Sequence, residues 1–223
     1  MIKTSLTVKE LDTYLKRLVS HFVPDGYETK HDTQYLLERS LDRIEHCFSR
    51  IERKYYQDSH GVVFDHLNGD HMASLLWFYS NTIWKETGDE EMPTRLFYIN
   101  KALHGIDLFY SVQMPDVFLL VHPVGTVIGK ATFSDYLVVY QNCTIGATID
   151  IYPHFGEGVV LYSRTTVIGK SSVGKNVVFA AGASIIDTDV PDGTVVAGSY
   201  PKHRFLHNRE TVVDRCFSSV SIG

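Results

Sequence analysis

Five side chains able to hold a metal or move a proton crowd into one short stretch of this chain: His60, Asp65, His66, Asp70 and His71. Imidazole and carboxylate are both common zinc ligands. Their spacing here, however, matches no familiar ligand pattern such as His-Glu-x-x-His, which sets two imidazoles on one helical face. The cluster reads as the entry and capping of a helix, and no metal is expected. The other histidines are dispersed. His104, His154, His203 and His207 read as outward polar residues, whereas His122, in Leu120-Val121-His122-Pro123, falls inside a repeat that gives its position meaning.

That repeat has a period of six. From Pro115 the markers are Val121, Val127, Phe133, Val139 and Ile145; a second frame runs Phe155, Leu161, Val167, Val173, Phe179, Ile185, Pro191 and Ala197. Small or medium residues recur between them, among them Gly125, Ala131, Cys143, Ser171 and Ala183. An α-helix repeats every 3.6 residues and a strand every two. A six-residue step is the signature of a β-helix, in which three short strands make one coil of about 18 residues. Thr-Val-Ile-Gly-Lys occurs at 126–130 and again at 166–170. Two coils leave four residues over, and these are assigned to a loop at Ile151, Tyr152, Pro153 and His154, where the two frames fail to join.

These elements must sit in a chain of 223 residues with 44% hydrophobic residues, enough to bury a core. The net charge of −5 offers no basic stripe for nucleic acid. Cys47, Cys143 and Cys216 are scattered and odd in number, which points to buried or free thiols in a reducing compartment. No signal-peptide-like apolar run opens the sequence. Val117 to Val121 is far too short to cross a bilayer. A soluble cytoplasmic protein without membrane partners is expected.

Residues 1–105 have a helical rhythm. Thr7 and Glu10 form a capping-box pattern ahead of Val8, Leu11, Leu15 and Leu18. Leu37, Leu41, Ile44, Phe48 and Ile51 line a second helix. Met72, Leu76, Tyr79 and Ile83 line a third, stopped near Gly88. Pro93 suits the first turn of a fourth, which carries Leu96, Ile99 and Leu103 and ends at Gly105. The expected class is α+β: an α-helical domain over 1–105, a parallel β-helix (hexapeptide-repeat solenoid) over 106–205, left-handed by family resemblance, and a tail over 206–223.

Several segments resemble the serine acetyltransferase branch of the left-handed β-helix acyltransferases. The stretch from Phe155 to Ser184 is similar to that family's last coils without a gap. Tyr140-Gln141-Asn142-Cys143-Thr144-Ile145-Gly146 resembles the strand before its loop, and Ala197-Gly198-Ser199-Tyr200-Pro201-Lys202 its closing Ala-Gly-x-Pro motif. Gly69-Asp70-His71-Met72-Ala73 is similar, more loosely, to a Gly-Phe-His-Ala entry in the helical domain. The resemblance covers 107–202 and extends weakly over 60–105.

The resemblance implies transfer of acetyl from acetyl-CoA to a hydroxyl, with a histidine base oriented by an aspartate fifteen residues earlier. Here these are His122 and Asp107. A base is needed because an alcohol is a poor nucleophile at neutral pH, and such help accelerates a reaction by roughly 10²–10⁴. It also implies a homotrimer, or a hexamer made of two such trimers, with acetyl-CoA in the groove between solenoids. Gly146, Ala147, Ser163 and Ala181 are then the contacts to the pantetheine arm, with Lys202 near the nucleotide phosphate.

The sequence also departs from the family. Serine acetyltransferases grip the amino-acid carboxylate with an Arg-His pair in the loop; Ile151 and Tyr152 stand here. The aspartate preceding the catalytic histidine is Val121, and the aspartate that meets the substrate amine has Asp58 as its nearest counterpart. Each change removes a charge-assisted contact. An uncharged acceptor, a sugar or other polyol bound against Tyr152 and Tyr140, is therefore the expectation. Serine O-acetylation through a rebuilt site using His154 or Arg164 is the alternative, and N-acetylation of an amino sugar nucleotide a third reading. The Ser-Ile-Gly ending differs from tails that dock into cysteine synthase, so no such complex is expected. Carbonic anhydrases with this solenoid need a His-x₄-His pair, which the solenoid lacks, and no Gly-rich nucleotide loop opens the helical half. A non-catalytic scaffold would be indifferent to the loss of His122.

Overall fold

A computed structural model describes residues 2–218; the Ser-Ile-Gly ending lies outside the described residues. Four helices occupy the first half: α1 (Val8–Phe22), α2 (Thr33–Phe48), α3 (Gly69–Thr87) and α4 (Glu91–His104). The capping box at α1 is formed. Thr7 Oγ1 accepts the Glu10 N–H at 3.3 Å, and the Glu10 carboxylate accepts the Thr7 N–H at 2.9 Å. Gly88 and Gly105 close α3 and α4 at φ of 72° and 64°, the left-handed region glycine occupies without a Cβ penalty. Pro93 lies in the first turn of α4, whose N–H groups have no helical acceptor.

Two features of this half differ from the sequence reading. α3 is buried on every side from His71 to Ile83, not along one stripe, because it runs between α2, α4 and the first coil. A three-stranded sheet of Lys3–Thr4, Gly61–Phe64 and Gln57–Asp58 also stands among the helices. No helix among the described residues is long and apolar enough to cross a membrane.

From Asp107 the chain coils into a parallel β-solenoid with three faces. The first face stacks Asp107–Leu108, Val127–Ile128, Thr144–Gly146, Thr166–Ile168 and Ser184–Ile186. The second stacks Phe118–Val121, Leu137–Tyr140, Val159–Leu161, Val177–Phe179 and Thr194–Ala197, and Arg204–His207 closes its end as an antiparallel strand. The third stacks Thr132–Phe133, His154–Phe155 and Ser172–Val173.

Strand pairing tests the six-residue frame directly. Phe155 pairs with Val173, Leu161 with Phe179 and Val167 with Ile185, each a step of 18. Phe133 pairs with Phe155, Val139 with Leu161 and Ile145 with Val167, each a step of 22. The four extra residues therefore lie between Ile145 and Phe155. The loop falls slightly earlier than expected: its tip is Ile149–Asp150, at φ of 50° and 62°, and Thr148 and Ile151 exchange backbone hydrogen bonds of 3.1 Å beneath it. His154 already belongs to a strand.

The last coil departs from the frame by one residue, burying Val190 and Val196 and not the markers Pro191 and Ala197, and so does the first. Leu120 and Ile128 point inward, while the markers Val121 and Val127 do not; Val127 is 42% exposed. A one-residue offset turns a strand's side chains to the other face. The two Thr-Val-Ile-Gly-Lys copies consequently stack two coils apart but one residue out of register.

Helices and solenoid share one core. Trp77 and Phe78 of α3 pack on Phe118 at 5.5 and 5.3 Å between ring centres, and the Cys47 thiol donates to the Phe118 carbonyl at 3.1 Å. Burial pushes the Cys47 thiol up to about 12, so it remains a neutral packing residue. The short helix α5 (Val212–Cys216) returns the chain to the helical half, where the Glu52 N–H donates to the Cys216 carbonyl at 3.2 Å and Phe217 bridges to Ile51.

Candidate active site

His122 follows the strand Phe118–Val121 at the corner between the second and first faces, and its φ is 47°. The corner is closed by the Val124 N–H donating to the His122 carbonyl at 2.7 Å. It rests on the chain leaving α4: the Gly125 N–H donates to the Gly105 carbonyl at 3.0 Å, and the Asp107 N–H to the Thr126 carbonyl at 2.8 Å. The backbone segments bearing Asp107 and His122 thus meet at one corner. The Asp107 carboxylate is engaged by Lys101 Nζ at 2.6 Å.

The carboxylate found on His122 belongs to Asp70 of α3. Asp70 Oδ1 accepts the His122 backbone N–H at 3.0 Å, and Oδ2 lies 3.7 Å from His122 Nδ1. The imidazole is 77% exposed while the Asp70 side chain is 20% exposed, so a largely buried carboxylate backs an open imidazole. Burial raises the Asp70 carboxyl, and the His122 ring and its backbone N–H oppose that rise. Sequence reasoning placed Asp70 in helix entry alone. Nothing in the spacing could connect residues 52 positions apart on different elements.

Of the rest of the histidine–acid cluster, Asp65, His66 and His71 stand at the entry and first turn of α3. His60 lies instead in the hairpin turn between Gln57–Asp58 and Gly61–Phe64, where its N–H donates to Asp58. Asn68 caps the helix by accepting the Asp70 and His71 N–H groups at 3.0 and 3.4 Å, and the Asp65 side chain accepts the Leu67 N–H. His71 is fully buried among Phe48, Tyr56 and Phe64, and its Nδ1 accepts the Asp65 N–H at 3.1 Å. Among the described residues no group of three His, Cys, Asp or Glu side chains converges to hold a metal ion.

Burial lowers the His71 pKa from 6.5 to about 4. A base whose folded pKa lies below its unfolded value gives stability that is complete above the unfolded pKa and is lost as pH falls towards the folded one. The shift corresponds to roughly 3 kcal/mol, drained between about pH 6.5 and pH 4. Urea unfolding near pH 7 and near pH 4 should show this loss in the wild type and a smaller one in His71→Gln, which cannot charge. Equal losses in both would remove His71 as the cause.

The candidate pantetheine contacts fall on two edges. Ser163 and Ala181 lie on the His122 edge, whose corners are tied coil to coil by the Asn142, Arg164 and Gly182 N–H groups donating to Val124, Gln141 and Ser163 carbonyls at 2.9–3.1 Å. Gly146 and Ala147 lie at the opposite edge of the first face, where it turns towards the third. A Cβ on Gly146 would meet only Ile168 at 3.8 Å and Thr144 at 4.0 Å, so packing within the chain does not demand glycine there. Lys202 is exposed beyond the last coil. Val121 is half-buried and pairs in register with Tyr140. Tyr140 packs against Tyr162 with ring centres 4.9 Å apart and planes tilted by 40°, and accepts from Arg53 Nη2 at 3.4 Å. Tyr152 lies over Gly129, where its ring would be 2.8 Å from an added Cβ.

No family model matches the chain. It is 32% identical to serine acetyltransferase 2 of Arabidopsis thaliana over 149 residues, 65% of this chain and 45% of that protein. It is 29% identical to a putative serine acetyltransferase of Schizosaccharomyces pombe over 132 residues, 57% of this chain and 48% of that one. The chain thus spans about half the length of the curated relatives it matches. In fold it is similar to serine acetyltransferase from Vibrio cholerae, with a TM-score of 0.63 at 17% identity over 93% of both chains. A serine complex of the Neisseria gonorrhoeae enzyme gives a TM-score of 0.65 at 17% identity, covering 87% of this chain and 83% of that one.

Proposed function

We propose that this serine acetyltransferase-like chain transfers an acetyl group from acetyl-CoA to a hydroxyl, with serine as the acceptor and His122 as the general base. The observation that carries the proposal is the open imidazole of His122 at a solenoid edge, backed by a carboxylate. With Nδ1 turned to Asp70, Nε2 is left for the acceptor. It takes the hydroxyl proton as the oxygen attacks the thioester carbon. The tetrahedral intermediate then collapses, the C–S bond breaks, and the imidazolium returns the proton to the CoA thiolate. No covalent enzyme intermediate is needed. Asp107, fifteen residues before His122 and held by Lys101, is the further carboxylate proposed for this corner.

Serine replaces the sugar or polyol expected from the altered loop, because the relatives are serine acetyltransferases by name. Arg164, on the His122 edge roughly 10 Å up the stack by strand spacing, is the cation proposed for the serine carboxylate. A polyol acceptor remains the second reading, and the loop favours it: Ile149 is 95% and Ile151 49% exposed, with no basic residue from Ile145 to Pro153. Acetyl-CoA lies in the inter-subunit groove of a homotrimer in this proposal. Ser163 and Ala181 of one edge then face Gly146 and Ala147 of the opposite edge of a neighbouring copy, and Lys202 serves the nucleotide phosphate.

Thiol release from acetyl-CoA, measured with serine, homoserine, simple sugars, amino sugar nucleotides and other nucleotide sugars, tests the acceptor. Turnover with serine is the expected result. Turnover with sugars alone would overturn serine and restore the polyol, and acetylated amine products would favour N-acetylation.

A further inference from the structure

We infer that Asp70 is the positioning residue of His122: it fixes the histidine backbone in its left-handed conformation and holds Nδ1, so that Nε2 faces the acceptor. The inference rests on the reading of His122 as a base. Both oxygens of one carboxylate engage the same residue, Oδ1 its backbone N–H at 3.0 Å and Oδ2 its Nδ1 at 3.7 Å. A non-glycine residue at φ of 47° is strained and persists only where its surroundings over-determine it. The Asp70–N–H bond is such a constraint.

Asp70 is itself firmly placed. It lies in the first turn of α3, where the helix dipole favours a carboxylate. Its N–H is held by the Asn68 cap at 3.0 Å, and its carbonyl accepts the Ser74 hydroxyl at 2.8 Å. The helix that follows is buried throughout its next three turns. The helical half therefore supplies a fixed carboxylate to a base carried by the solenoid. Contacts of this type are long in the absence of substrate and tighten in the reacting complex.

Asp70→Asn isolates the charge and the tautomer. The amide oxygen still accepts the His122 N–H, which turns the NH₂ group towards Nδ1. Nδ1 must then accept, the ring proton moves to Nε2, and Nε2 can no longer act as a base. A wrong tautomer of this kind leaves geometry intact and removes catalysis. In the full-length protein, kcat should fall roughly 10²–10⁴-fold with the KM for acetyl-CoA unchanged. Ring ¹⁵N shifts of His122 should report Nδ1–H in the wild type and Nε2–H in Asp70→Asn.

An unchanged kcat, or the same tautomer in both proteins, would overturn the inference. So would a tautomer change in Asp107→Asn but not in Asp70→Asn. If the wild type turns over no acceptor, the proposed function fails while the ¹⁵N comparison still decides the role of Asp70. Should Asp70→Asn not fold by circular dichroism, Asp70→Ser, which removes the carboxylate and keeps a polar first-turn residue, is read by kcat alone: the same fall is expected, and an unchanged kcat overturns the inference.

Discussion

Replacing His122 with alanine is expected to lower kcat/KM roughly 10²–10⁴-fold with the fold retained. The imidazole is 77% exposed, so its removal opens no cavity, and what is lost is a proton acceptor. The backbone is the complication. At φ of 47° histidine already bears the left-handed strain, and alanine, less common there than histidine or asparagine, costs up to about 1 kcal/mol more, enough to lower the melting temperature by a few degrees at most. His122→Asn tolerates the left-handed region and cannot act as a base, so it separates strain from chemistry. Both variants should be equally inactive in steady-state thiol release, and Asn should melt closer to the wild type. Activity retained in His122→Asn would move the base elsewhere, whereas no thiol release from the wild type itself would return the chain to the scaffold reading.

How much of this was legible in the sequence depended on whether the cause was periodic. The interior of a three-faced coil admits one apolar side chain every six residues, so Phe155, Leu161, Val167, Val173, Phe179 and Ile185 announce themselves, and all are buried. Helix stops at Gly88 and Gly105 were equally readable, since a left-handed C-cap selects glycine. The first coil was not. Val121 and Val127 satisfy a six-step count as well as Leu120 and Ile128 do, and only pairing with Val139 and Ile145 decides between them. The strand Gly61–Phe64 is short and needs Lys3–Thr4, from the far end of the helical half, to make a sheet. Asp70 escaped for the same reason. Its partner is on another element, and sequence spacing carries no distance between elements.

The largest stability effect is expected at Phe155. Phe155→Ala should lower the unfolding free energy by about 3–5 kcal/mol, read as a lower urea midpoint. The ring is fully buried and stacks on Phe133 at 5.3 Å and 18° between planes. The cost depends on whether the coil can collapse into the space left behind. Gly156 argues that it cannot: a Cβ there would already stand 2.8 Å from the Gly174 carbonyl, so the backbones of these coils are in close approach and have no room to slide. Strand His154–Phe155 is also tied on both sides, to Thr132–Phe133 and Ser172–Val173. Solenoid coils contact mainly their neighbours, so the damage should centre on the coil that follows the Ile149–Asp150 loop. Amide exchange should accelerate first in Thr132–Phe133 and Ser172–Val173. Phe155→Leu, which keeps most of the volume, should lose less than half as much. A loss near 1 kcal/mol for Phe155→Ala would mean that the coils do close over the gap, and that the third face is softer than its glycine contacts imply.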